Sequence, residues 1–134
     1  MTNPLRVLVV DDEILIADHI SLILEDAGHM VIGLASSAEE AMDLLTRDIP
    51  DVAVLDIRLK GHLDGIQLAA EMKRAGLKVP HIFITGSGDP ETKERAAATS
   101  PSAFIQKPFD DRSLITAITA AVSGANAGWA TKHA

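Results

Sequence analysis

Five short apolar segments alternate along the sequence with segments that are patterned as helices. The first of them, residues 5–10, is rich in Val and Leu, which is typical of a strand buried on both faces of a parallel sheet. The alternation leaves few folds open, because parallel strands must be joined by crossover segments and these are usually helices. The predicted strands are residues 5–10, 30–34, 52–55, 79–85 and 102–106.

Apolar residues at helical spacing predict a helix after each strand. The helix after Asp11-Asp12 is marked by Ile16, Ile20, Ile23, Leu24 and Ala27, and Gly28 is a typical stop. The last helix covers about residues 110–122, and we expect it to bury Leu114, Ile118, Ala121 and Val122.

The three helices between these two begin at recognisable capping residues. Ser37 and Glu40 have the spacing of a capping box, which opens a helix through about Arg47. Asp64-Gly65 precedes a helix over residues 66–75 that stops at the next glycine. Asp89, followed by proline at the first helical position, opens a short helix to about residue 98.

Short connections between alternating strands and helices predict an α/β fold. Right-handed crossovers then give a doubly wound, five-stranded parallel sheet of order 2-1-3-4-5 with five helices on its two faces. In such a sheet the ligand site lies outside the carboxyl ends of the strands, where the winding reverses between the first and third strands. The residues that follow each strand are therefore the ones that can carry chemistry.

Composition narrows the class of protein further. A chain of 134 residues without cysteine has the size of one domain that builds its core without disulfides. Its net charge of -7 argues against nucleic acid or an anionic membrane as the main partner. We find no apolar run of bilayer length and no signal-peptide pattern, and we expect a cytoplasmic protein.

Polar residues lie at the carboxyl ends of four of the predicted strands. Asp11 and Asp12 follow the first, Asp56 the third and Lys107 the fifth, while Thr85 ends the fourth. Carboxylates that meet at one rim repel one another unless a cation neutralises them. Oxygen ligands of this kind suit Mg²⁺, with Mn²⁺ as the alternative.

Four short motifs at these strand ends resemble the signature of response-regulator receiver domains, whose fold is flavodoxin-like. They are Val-Val-Asp11-Asp12-Glu13, Val-Leu-Asp56, Ile84-Thr85-Gly86 and Lys107-Pro108-Phe109. The resemblance covers residues 5–122 and implies that Asp56 accepts a phosphoryl group from a phosphohistidine. It also implies that Asp11, Asp12, Asp56 and the main-chain carbonyl of Arg58 hold Mg²⁺, and that Thr85 and Lys107 contact phosphoryl oxygens.

The resemblance has further implications for switching and partners. It implies a cis Lys107-Pro108 bond and makes Thr85 and Phe104 the switch residues. The donor would be a sensor histidine kinase or a histidine phosphotransfer protein, and output would pass to an unidentified protein or to a homodimer through helix 4, strand 5 and helix 5. Such a domain is not an enzyme in the usual sense, although it assists its own phosphorylation and dephosphorylation.

Each of these residues also has a structural interpretation of its own. Asp12 alone could cap the first helix, and Thr85 is a good strand former. Asp56 alone could be a loop residue, and Lys107 a solvated charge. Phe104 is as readily explained as a half-buried strand residue. Only the combination at one rim favours the functional interpretation.

Two other classes of protein remain as alternatives. An aspartate-based, Mg²⁺-dependent phosphatase would need a second acid two residues after its nucleophile, where this chain has Arg58. A pseudo-receiver that binds partners without accepting phosphate would not need the complete acidic set. The five histidines show no spacing typical of a metal site.

The sequence departs from the commonest receiver pattern after Asp56. The segment from Ile57 to Gly65 is one residue longer than usual and lacks a Met-Pro pair, and the side chain of Arg58 could cover the phosphoryl group. We expect the receiver domain to occupy residues 1–123 and a disordered tail with Trp129 to occupy 124–134. A stand-alone receiver, or a fragment of a longer protein, fits this length.

Overall fold

The computed structural model describes residues 4–86 and 88–123. The five strands are β1 (Arg6–Val10), β2 (Met30–Ala35), β3 (Val52–Leu55), β4 (His81–Thr85) and β5 (Ala103–Gln106). The five helices are α1 (Ile14–Asp26), α2 (Ala38–Leu45), α3 (Gly65–Arg74), α4 (Pro90–Ala97) and α5 (Asp111–Ser123). Strands and helices alternate without exception in this part of the chain, as predicted.

The strands form one parallel sheet of order β2-β1-β3-β4-β5, which confirms the predicted doubly wound topology. Every residue of β3 and β4 is buried, which explains why β3 and the centre of β4 are continuous apolar runs. One apolar core lies between the sheet and α2 and α3, and a second lies between the sheet and α1 and α5. The carboxyl ends of β1 and β3 are neighbours at the reversal of winding.

The predicted helix starts are correct to within two residues, but one cap differs in detail. Ser37 caps α2 by accepting a hydrogen bond from the Glu40 amide. Glu40 does not complete the box on Ser37, because its carboxylate accepts from the amide of Ser36, one residue earlier. A complete capping box occurs instead at α3, where Asp64 and Gln67 each accept from the other's amide.

Two apolar residues that mark the predicted helices lie at the surface, and one of them, Val122, was expected to be buried. Val122 is 40% exposed, because Leu114, Ile118 and Ala121 already define the buried stripe and the next residue turns about 100° away from it. Ala27 is exposed at the end of α1, before Gly28 at a φ of 92°. The predicted start of β4 is two residues early, since Pro80 has no amide to donate to the sheet.

Helix α4 is attached to the domain differently from the other helices. It buries only Ala96 and Ala97 among its eight residues. Its Arg95 donates a hydrogen bond to the Asp64 carboxylate at 2.9 Å, which connects α4 to the start of α3. In the described part of the chain, no helix combines the length and the apolar character needed to cross a bilayer.

Candidate functional site

The polar residues at the strand ends meet at one rim of the sheet. Asp11, Asp56 and Thr85 are buried there, and Lys107 is largely covered. The Lys107 Nζ atom lies 3.3 Å from a carboxylate oxygen of Asp11 and 3.3 Å from one of Asp56. The fold therefore brings three residues from three different strand ends within reach of one another.

Each buried carboxylate has one oxygen fixed by the main chain. Asp56 Oδ1 accepts from the Ile57 amide at 2.8 Å, and Asp11 Oδ1 accepts from the Glu13 amide at 2.9 Å. In both residues the other oxygen, Oδ2, is the one near Lys107. The carboxylates are thus oriented by their own loops, and the lysine lies between them.

The backbone of Asp56 is held by a close approach of α3. The Gly65 amide donates to the Ile57 carbonyl at 2.7 Å. A Cβ atom at Gly65 would lie 2.0 Å from the Asp56 carbonyl oxygen, which is far inside van der Waals contact. Only glycine fits at this position, so the α3 start fixes the loop that carries Asp56.

Burial and charge shift the protonation of this site. Burial, followed by the negative charge of Asp11, raises the pKa of Asp56 to about 6, although Lys107 and the Ile57 amide act in the opposite direction. Burial alone would lower the pKa of Lys107, but Asp56 and Asp11 outweigh it and raise that pKa. Burial and the charge of Asp11 thus outweigh the favourable effect of Lys107 on the ionised Asp56 carboxylate.

Four acidic residues at this rim could hold a metal ion. Asp11, Asp12, Glu13 and Asp56 each offer a carboxylate oxygen, and these oxygens lie within 4.8 Å of one another. Burial is the largest cause of the raised pKa of Asp56, and the charge of Asp11 adds to it. The donor set and its unbalanced charge both fit a hard divalent cation.

Asp12 does not serve as the cap of α1. The N-cap is Glu13, whose side chain makes no capping hydrogen bond, and its carboxylate lies 3.8 Å from Lys107 Nζ. Sequence reasoning did not include Glu13 among the site residues. Its position between Asp12 and the first helical residue is the signal that could have identified it.

Lys107 and Thr85 are connected through the main chain. The Lys107 amide donates to the Thr85 carbonyl at 2.8 Å, so the two residues keep a fixed backbone separation. The peptide bond between Lys107 and Pro108, for which the resemblance implies a cis form, is cis.

Phe104 is half-buried on β5. Its ring centroid lies 6.4 Å from that of Phe83, and the Lys93 ammonium from α4 lies 5.9 Å above its ring. This position agrees with the structural interpretation of Phe104 as a half-buried strand residue. Because Lys93 of α4 lies over the ring, a movement of that helix would change the surroundings of Phe104.

The longer segment after Asp56 packs against the start of α2. The Lys60 amide donates to the Ser36 carbonyl at 3.3 Å, and the His62 amide approaches the Glu39 carboxylate at 3.4 Å. Arg58 has an exposed side chain. Hydrogen bonds from Thr92 lower the pKa of Asp89 at the start of α4, and the positive charge of Arg58 lowers it further.

Two of the four histidines in the described residues are buried, and neither belongs to the acidic cluster. His29 Nδ1 accepts from the Leu5 amide at 3.0 Å. His81 Nε2 lies 2.9 Å from the hydroxyl of Thr99, which itself donates to the Ala96 carbonyl. The His81 nitrogen is therefore the donor to Thr99. His133, Trp129 and the expected tail lie outside the described residues.

This arrangement defines a doubly wound α/β domain with an acidic, lysine-bearing cleft at the reversal of its sheet. The family model described as the response regulator receiver domain matches residues 7–119. The transcriptional regulatory protein PdtaR of Mycobacterium tuberculosis is 32% identical over 120 residues, which cover 90% of this chain and 58% of that protein. Nodulation protein W of Bradyrhizobium diazoefficiens is 35% identical, with coverage of 86% and 50%. The chain spans about half the length of the curated relatives it matches.

Solved structures agree with this assignment. The signal receiver domain of a modulated diguanylate cyclase from Desulfovibrio desulfuricans has a TM-score of 0.85 at 37% identity, covering 91% of this chain and 96% of that one. The receiver domain of NtrX from Brucella abortus has a TM-score of 0.80 at 36% identity, covering 87% and 98%. The chain belongs to the response regulator receiver domain family, and it is the receiver domain of a response regulator in two-component signalling.

Proposed function

We propose that Asp56 accepts a phosphoryl group from a phosphohistidine on a sensor histidine kinase or a histidine phosphotransfer protein. The observation that carries this proposal is the environment of the Asp56 carboxylate. It is buried at the reversal of the sheet, with one oxygen fixed by the Ile57 amide and the other 3.3 Å from Lys107 Nζ. A fixed nucleophile beside a cation is what phosphoryl transfer requires.

The transfer makes one bond and breaks one. An oxygen of ionised Asp56 attacks phosphorus in line with the donor imidazole, a P–O bond forms, and the P–N bond breaks with its electron pair going to the imidazole nitrogen. That nitrogen then takes a proton. Lys107 neutralises part of the charge on the phosphoryl oxygens, and the Thr85 hydroxyl donates a hydrogen bond to one of them. The product is an acyl phosphate, whose lability suits a timed signal.

Asp11, Asp12, Asp56 and the main-chain carbonyl of Arg58 are the proposed ligands of Mg²⁺, for which Mn²⁺ could substitute. When bound, the ion supplies positive charge next to the transferring group. The mutual proximity of the carboxylate oxygens supports this assignment. A cation at this rim would favour the ionised form of Asp56, which is the nucleophile.

We propose that phosphorylation is read out on the face formed by α4, β5 and α5, with Thr85 and Phe104 as the switch residues. The new charge would attract Thr85 and Lys107, and α4 would respond because few apolar contacts hold it. This face would bind a downstream protein or a second copy of the chain. We further propose that residues 1–123 act as one receiver unit in the cytoplasm, where ATP-dependent kinases form phosphohistidine.

Intact mass spectrometry after incubation with acetyl phosphate and Mg²⁺ tests the proposal. We expect one added phosphoryl group on the wild type, and none on Asp56→Asn or after removal of the metal with EDTA. A parallel sample with beryllium fluoride, a stable acyl-phosphate mimic, detects a site that hydrolyses its product too quickly to be seen. No adduct and no response to beryllium fluoride would instead support a pseudo-receiver. Steady release of phosphate from unrelated phosphomonoesters would support a phosphatase.

A further inference from the structure

An open groove lies between α1 and the outer edge of β2. Leu22 on α1 and Leu34 on β2 line it, and their side chains are 66% and 43% exposed. Val31 also lines it and packs partly against the core beneath α1. Asp18 and Glu25 line the same groove from α1, and no Lys or Arg is among its lining residues. The groove therefore combines apolar residues from both walls with two acidic residues from α1.

The strand that forms one wall of this groove is an edge strand. β2 pairs with β1 alone within the described sheet, so its outer backbone groups face away from any neighbouring strand. Its six residues, Met-Val-Ile-Gly-Leu-Ala, include neither a charged residue nor a proline. Natural proteins usually protect an exposed edge with such residues. Met30, at the start of the strand, is also 58% exposed.

Two features argue against a second copy of this chain as the occupant. The register between β1 and β2 shifts so that Val7 pairs with Val31 and Leu8 pairs with Gly33, which leaves Ile32 as an extra residue in the edge strand. A symmetric pair of β2 strands would carry this bulge on both strands at once, whereas a regular partner segment can fit its register to a single bulge. Joining two copies would also bring two acidic groove walls together in chains of net charge -7.

We propose that the groove between α1 and β2 binds an extended apolar segment of a partner protein, and that this segment carries Lys or Arg. The segment would add a strand to the free edge of β2, as in other complexes formed by strand addition. Alternate apolar side chains would cover Leu22 and Leu34, and the basic side chains would reach Asp18 or Glu25. The acidic wall selects a basic partner segment and disfavours an acidic one.

This surface is separate from the acidic rim at Asp56. None of the residues that line the groove belongs to the candidate metal cluster, and the proposal does not depend on phosphoryl transfer. It therefore adds a second binding surface to the domain. Its failure and the failure of the proposed function would be seen in different experiments.

A library of random twelve-residue peptides displayed on phage, selected against the whole chain, tests the proposal. We expect selected peptides to combine alternating apolar residues with Lys or Arg. The dissociation constants of synthesised peptides would then be measured by fluorescence anisotropy on three variants. Leu34→Lys and Glu25→Lys should weaken binding at least about tenfold, as expected for loss of a central contact or reversal of a complementary charge.

Ile49→Lys is the matched control, because Ile49 is similarly exposed, at 47%, but lies outside the groove. It should leave the dissociation constant within about twofold of the wild type. The proposal is overturned if no peptide is enriched, if the enriched peptides are acidic, or if Leu34→Lys binds them as well as the wild type does. It is also overturned if sedimentation shows a wild-type dimer that Leu34→Lys converts to monomer, since a second copy would then occupy the edge.

Discussion

The Lys107 ammonium nitrogen lies 3.3 Å from the Asp56 carboxylate, although 51 residues separate the two in sequence. The same nitrogen also lies 3.3 Å from Asp11 and 3.8 Å from Glu13. One cation thus faces several carboxylates, two of which are buried. The domain keeps excess negative charge at its rim, and this charge should reduce the stability of the metal-free protein.

We predict that Asp56→Asn stabilises the metal-free protein at pH 7 by about 1–3 kcal/mol. The folded-state pKa of Asp56 is raised from 3.8 to about 6. The folded state therefore binds more protons between these values, and this group's contribution to stability is lost as the pH rises through about 6. Urea unfolding in EDTA measures the difference.

Asp26→Asn, at an exposed position on α1, is the control for loss of a carboxylate and should change stability by less than about 0.5 kcal/mol. Mg²⁺ should narrow the gap between wild type and Asp56→Asn, because it binds the folded wild type more strongly. If Asp56→Asn is no more stable than the wild type in EDTA, the ionised Asp56 carboxylate does not destabilise the folded protein, and the prediction is wrong.

We predict that Gly65→Ala destabilises the domain by more than about 3 kcal/mol or displaces the Asp56 loop, since the new Cβ would lie 2.0 Å from the Asp56 carbonyl oxygen. Gly86→Ala is the matched control, because a Cβ there meets nothing within 4 Å. Thermal unfolding of both variants measures the effect. Equal melting temperatures would show that the approach of α3 to Asp56 can relax.

The strand ends could be predicted from sequence because each depends on a local pattern. Asp11, Asp56 and Lys107 directly follow apolar strands, and the rules of a parallel sheet bring such positions to one rim. The approach of Glu13 to Lys107 could not be predicted, since it depends on a side-chain conformation at the start of α1.

Contacts between distant segments could not be predicted from the sequence either. The Arg95–Asp64 ion pair joins two helices across 31 residues, and the contact of Lys60 with Ser36 depends on how the longer loop closes. Val122 was wrongly assigned to the core because its residue type fits a core position and only the direction of the helix face excludes it. Residue type predicts burial well only when the orientation of the element is known.

We predict that His81→Gln reduces the loss of stability on acidification. Burial, followed by the charge of Lys73, lowers the pKa of His81 from 6.5 to about 4. The unfolded chain therefore binds more protons between pH 6.5 and 4, and the wild type loses up to about 3 kcal/mol as the pH falls through this window.

Urea unfolding at several pH values gives the slope of the free energy of unfolding against pH for wild type and variant. Glutamine is chosen because its side-chain amide can still donate to Thr99. His62→Gln, at an exposed position, should keep the wild-type slope. Parallel pH profiles for wild type and His81→Gln would show that His81 is not held neutral by the fold.

We predict that Arg58→Ala shortens the lifetime of the acyl phosphate roughly fivefold, equivalent to about 1 kcal/mol of barrier. The side chain follows Asp56 by two residues and is exposed, so it can cover the phosphoryl group from water. Loss of phosphoryl group over time, followed by intact mass, measures the rate. Arg74→Ala on α3 is the control for loss of an exposed arginine. An unchanged rate in Arg58→Ala would exclude the shielding role.

The sparse attachment of α4 affects how its release would be detected. Heat capacity rises when apolar surface becomes exposed, and among its own residues α4 would expose only Ala96 and Ala97 from the buried set. Its detachment should therefore be nearly silent in calorimetry. Ionic strength should shift the balance more strongly than temperature, since a surface ion pair to Asp64 and a cation above Phe104 are among the contacts being lost. Ionic strength, as well as phosphorylation, would then set how often this helix leaves the domain.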